Sequence, residues 1–122
     1  MIAMPVGAVD YVELHELKGP ALGPDYWGGY LIYRMYPGTK VVIDDRHDFY
    51  GAAFLQSYLR TMHVEPGWEE FLKATDPGYA VLPRTAALAT MLPKTPEWKQ
   101  VYADETAVVF IHAGDVKGSG MD

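Results

Sequence analysis

The chain has 122 residues, a formal net charge of −6, 49% apolar residues and 21% charged residues. That length suits one domain around one core, and the composition is that of a folded globular chain. The acidic balance lacks the basic surface a nucleic-acid partner needs, and the absence of cysteine excludes disulfides, thiolate metal sites and cysteine nucleophiles.

In chain order, residues 5–17 predict a helix. Pro5 suits its first turn, Val6, Val9 and Val12 recur at roughly helical spacing, and Gly19 suits a C-terminal cap. The start "MIAMPVGAVDYVELHEL" has no basic leader region and carries Asp10, Glu13 and Glu16, so it does not read as a signal peptide. "PALGPDY" predicts a short extended segment. "WGGYLIYRMY" predicts a short helix with Tyr26, Tyr30 and Tyr33 spaced for one face, and "PGT" at 37–39 a turn. "KVVID" at 40–44 reads as an apolar strand buried on both faces.

"AAFLQSYLRTMHV" gives the clearest helical stripe, with Phe54, Leu55, Tyr58, Leu59 and Met62 inward. "GWEEFLKAT" repeats that pattern with Trp68, Phe71 and Leu72. "YAVLP" at 79–83 is a second buried strand, and "RTAALATML" at 84–92 a helix ended by Pro93. "WKQVYADETAVVFIHA" reads as a hairpin turning near Asp104 and Glu105. No apolar run reaches the ~18 residues of a transmembrane helix. Strands separated by helices imply a mainly parallel sheet of about four to five strands with right-handed crossovers. The expected architecture is therefore a three-layer α/β sandwich closed by a C-terminal antiparallel hairpin. Residues 1–113 form the single expected domain, and 114–122 a disordered small, polar tail.

Three familiar chemistries find no template. Gly23, Gly28 and Gly29 fit neither the dinucleotide fingerprint nor the phosphate-binding loop with its lysine, so no nucleotide cofactor is expected. Ser57 and Ser119 are the only serines, and neither stands on a glycine-flanked elbow. "DDRHDFYG" gathers Asp44, Asp45, His47 and Asp48, but Arg46 interrupts any calcium-loop register. That loop reads first as an internal salt bridge of Arg46 with Asp44 or Asp48, and second as a metal or substrate site. The aromatics Tyr26, Trp27, Tyr30, Tyr33 and Tyr36 read either as core plugs or as a platform for a sugar or peptide.

Taken together, "PVGAVDYVELHELKGP", "DYWGGYLIYRMYPGTKVVIDDRHDFYG", "YAVLP" and "WKQVYADETAVVFIHA" resemble the soluble C-terminal domain of bacterial polytopic membrane proteins of the GT-C glycosyltransferase type. The matching positions are Trp27, Gly28, Gly29, Tyr30, Leu31, Pro37, Asp44, Arg46, Asp48, Tyr50 and Gly51, within a likeness running from about residue 5 to 113. "DYWGGY" is also loosely similar to the acceptor-recognition motif of oligosaccharyltransferase catalytic subunits, though the tryptophan pair is missing. The resemblance implies a non-catalytic accessory domain on the extracytoplasmic (periplasmic) face of the bacterial membrane. Its partners would be the membrane-embedded region of the parent protein and a glycan or peptide acceptor. Trp27 and Tyr30 would form the platform, Tyr26 a further substrate-binding residue, and Asp44, Arg46 and Asp48 a polar latch. The alternative is a free-standing α/β enzyme or ligand-binding module that uses the acidic 44–48 loop. Neither reading names a catalytic residue or a cofactor, and the first names no metal ligand.

Overall fold

A computed structural model describes residues 3–35, 40–43 and 50–112. Its elements are, in order, helix α1 (Val6–Leu14), strand β1 (Ala21–Leu22), helix α2 (Asp25–Met35), helix α3 (Ala52–Met62) and helix α4 (Trp68–Thr75). Strand β2 (Tyr79–Pro83), helix α5 (Ala87–Met91), a 3-10 turn (Leu92–Lys94), β3 (Trp98–Ala103) and β4 (Ala107–His112) follow.

The strands form one sheet in the order β1-β2-β4-β3. β1 pairs parallel with β2, whereas β2–β4 and β3–β4 are antiparallel. The sheet is therefore mixed, and the expectation of a mainly parallel one is corrected. The physical reason lies in the C-terminal hairpin. It adds antiparallel beyond β2, as expected, with β4 against β2 and all five residues of β2 in register from Tyr79↔Ile111 to Pro83↔Ala107, and with only β1–β2 parallel the antiparallel pairings outnumber the parallel one. "AVVFI" is apolar at every position, so it is the hairpin arm fit for a place between two neighbours, while Lys99 and Gln100 keep β3 at the edge. The expected strand at 40–44 is reduced among the described residues to a bridge, Ala21↔Val41, running parallel beyond β1. Two backbone bonds hold it, from Ala21 N–H to Lys40 C=O (2.8 Å) and from Val42 N–H to Ala21 C=O (2.9 Å). Asp44, the turn at 37–39 and the tail at 114–122 lie outside the described residues.

Alternation along the strands divides the core into two apolar clusters. Ala21, Tyr79, Val81, Ala107 and Val109 pack with Ala8, Val9 and Val12 of α1 and Trp27 and Leu31 of α2. Leu22, Ala80, Leu82, Val108 and Phe110 pack with residues of α3, α4 and α5, including Tyr58, Met62, Phe71, Leu72 and Leu88. β1, β2 and β4 thus bury both of their faces, which is why these segments read as continuous apolar runs. On the first side, Arg34 ties α2 to α1 by ion pairs to Asp10 (2.6 Å) and Glu13 (3.0 Å).

Helix α1 ends earlier than expected. Glu16 N–H bonds to Glu13 C=O (3.2 Å) and Leu17 N–H to Val12 C=O (3.1 Å), a Schellman cap with Glu16 in the left-handed region at φ 54°. Gly19 sits three residues too late to serve as that cap. Helix α3 ends the same way, with Val64 (φ 57°) in the left-handed position.

Candidate functional site

β1 and β2 run parallel, so their carboxyl ends open on one side of the sheet. The chain leaves β1 through Gly23 and Pro24 into α2, and leaves β2 at Pro83 through Thr85 and Ala86 into α5. Helices that start after neighbouring parallel strands diverge and leave a crevice there, the usual ligand position in α/β sheets. Such a crevice is present, with a volume of about 370 Å³. Pro24, Asp25 and Tyr26 form one wall, the last turns of α3 with Tyr58, Leu59, Met62 and His63 a second, and Pro83, Thr85 and Ala86 a third.

Tyr58 organises it. The ring is buried, and its hydroxyl accepts the backbone N–H of Asp25 at 2.8 Å. This satisfies one of the free donors at the amino end of α2 with a side chain from α3. The Tyr58 phenol titrates well above its ordinary range. Burial is the main cause, the Asp25 N–H opposes it, and the charges of Asp25 and Tyr26 and a hydrogen bond to the Asp25 carboxylate add to the rise. Tyr26, 45% exposed, is also pushed up, first by partial burial and then by the Asp25 charge. The site offers two phenols, the Thr85 hydroxyl and the Asp25 carboxyl group over an aliphatic floor. No lysine or arginine is among the described residues that line it. An anion would meet Asp25 at the amino end of α2, the place where a helix otherwise attracts negative charge.

The structure separates the aromatic residues expected to bind a substrate. Tyr26 lines the crevice. Trp27 is only 2% exposed, packs in the α1–α2 cluster and donates its indole N–H to the carbonyl of Ala3 at 2.9 Å. Its expected role as a surface platform is corrected: at the helical step of 100° from Tyr26, it turns into the core. Tyr30 is half-buried, and its hydroxyl accepts Arg34 Nη1 at 2.6 Å, which places it in the α1–α2 tie. Asp44, Arg46 and Asp48 lie outside the described residues. Sequence reasoning missed Asp25, Tyr58, His63 and Thr85. Tyr58 carried a usable signal, since a hydroxyl within an otherwise apolar helical stripe must find a partner when buried.

Among the described residues, no helix is long and apolar enough to cross a membrane. Comparison with protein-family models, curated proteins and solved structures gives no match for this chain.

Proposed function

We propose that this chain is a non-catalytic binding domain and that the crevice at the carboxyl ends of β1 and β2 takes a neutral, hydroxyl-rich acceptor of the glycan type. The observation that carries the reading is the meeting of the Tyr26 phenol, the Tyr58 hydroxyl held on the Asp25 N–H at 2.8 Å, and the Asp25 carboxyl group along one crevice. The exposed Tyr26 phenol can donate to a hydroxyl oxygen, a carboxylate accepts from hydroxyl hydrogens, and the Leu59 and Met62 floor suits the apolar face of a sugar ring. The wider reading makes the chain an accessory domain on the extracytoplasmic face of a membrane glycosyltransferase-like protein, contacting that protein's embedded region. It rests on the sequence resemblance alone. In the same reading, the two helical sets are the outer layers of a three-layer sandwich, supported by the two apolar clusters.

The test is a nuclear magnetic resonance titration of the isotopically labelled chain with neutral oligosaccharides. The expected result is saturable shifts at Asp25, Tyr26, His63 and Thr85 that weaken about tenfold in Tyr26→Ala, with no product formed. Sugar transfer or hydrolysis by the purified chain alone, or shifts that avoid these residues, would overturn it.

A further inference from the structure

At the opposite end of β2 lies a second cavity, also of about 370 Å³. The two sites are separated by the length of that strand, roughly 13 Å for four residue steps. The indoles of Trp68 and Trp98 and the imidazole of His112 line it. Trp98 and His112 are cross-strand partners, and their rings lie 4.9 Å apart at 33°. Four carboxylates, those of Glu69, Glu70, Asp76 and Glu97, face the cavity against the one ammonium of Lys73. No ion pair within 4.0 Å engages any of them among the described residues, where the two salt bridges both belong to Arg34.

A further observation points to a ligand. Trp98 is only 7% exposed, yet no described residue accepts its indole N–H. No fully buried side-chain nitrogen in the described residues lacks a partner, so this N–H keeps some contact with open space, and Trp98 is one of the residues that line the cavity. A 93% buried aromatic side chain thus keeps an unused donor at the wall of an acidic, aromatic hollow.

We propose that this cavity binds an organic cation, an ammonium or guanidinium group carried next to an oxygen acceptor. The face of an indole attracts a cation through its quadrupole, which the half-buried Trp68 can offer, and the carboxylates add charge attraction that a neutral or anionic ligand would not receive. The Trp98 N–H then meets the ligand's oxygen. Phosphates and carboxylates are disfavoured by the same groups. The site is independent of the sugar-type crevice, shares no lining residue with it, and stands or falls separately.

The experiment titrates the full chain with choline, with N-acetyl-argininamide, and with 3,3-dimethylbutan-1-ol as choline's neutral isostere. Indole N–H resonances are followed. Trp27 serves as an internal reference, because its N–H is already bonded to Ala3. Saturable shifts at Trp68 and Trp98 are expected with one or both cations, and the alcohol should bind about tenfold more weakly. The cation that binds more tightly identifies the source, small free ammonium or basic peptide, and either supports the site. Trp68→Leu should weaken binding, and so should Glu97→Gln, an exposed change that leaves the core alone; each loss should be about threefold or more. Raising the salt concentration should weaken it further. Equal binding of choline and the alcohol overturns the proposal, as does a failure of both cations to move the Trp68 and Trp98 signals.

Discussion

Tyr58 places a hydroxyl where the surrounding helix face is apolar, and the structure shows what that hydroxyl does. It caps the amino end of a helix on the other side of the sheet, so one side chain joins the two apolar clusters at the carboxyl edge. Tyr58→Phe keeps the ring and deletes the cap. The expected loss is about 1 kcal/mol, read by urea unfolding. The same residue gives a sign for alkaline pH. Its pKa is higher folded than unfolded, so its contribution is complete below pH 10, the ordinary value. It is lost as pH rises from there toward the folded value. The wild-type chain should lose stability above about pH 10 more steeply than Tyr58→Phe, and parallel slopes would refute the assignment. Gly78 acts at the same scale through backbone proximity. A Cβ at this buried position would overlap the carbonyl oxygen of Lys18 and lie 3.2 Å from that of Gly19. Its N–H also bonds to Pro20 C=O at 2.9 Å. Gly78→Ala is expected to cost about 2–3 kcal/mol in the same assay, because backbone rather than a movable side chain must yield.

The elements differ in how well their local sequence explains them. Helices α3 and α4 follow directly from apolar residues three and four apart, which must face one way once the chain coils. The β3–β4 turn follows from Asp104. Its carboxylate accepts the N–H of Thr106 (2.8 Å) and Ala107 (2.9 Å) and the Tyr102 hydroxyl (2.6 Å). Burial alone would raise that carboxyl's pKa, but these donors and the charge of Arg84 outweigh it and hold it below the ordinary range. The end of α1 was not legible in the same way. A glycine two residues past the helix would have announced the left-handed cap, but Glu16 holds that conformation instead. Its exposed side chain makes the position testable. Glu16→Gly should stabilise the chain by about 1 kcal/mol, seen as a higher thermal midpoint, since glycine removes the left-handed strain. A lower midpoint would show that Glu16 contributes contacts beyond its backbone.

At the scale of the whole molecule, the hairpin decides the sheet. With β4 between β2 and β3, Phe110 lies fully buried beneath α3–α5 rather than at a frayed edge. Phe110→Ala should therefore cost about 3–5 kcal/mol and lower the whole unfolding transition, where an edge position would cost much less. A small loss confined to local fraying would argue against the central placement of β4. The absence of cysteine and the acidic charge were set by composition, and the helix and strand periods and the apolar runs by residue order, because each of these patterns depends on neighbours within one or two turns of chain. Which strand lies beside which, that Trp27 turns inward while Tyr26 faces a crevice, and that Asp25 meets Tyr58 across 33 residues were decided only by tertiary packing. Such contacts arise from where complete elements find room to bury both faces of a sheet, and no local pattern encodes that choice.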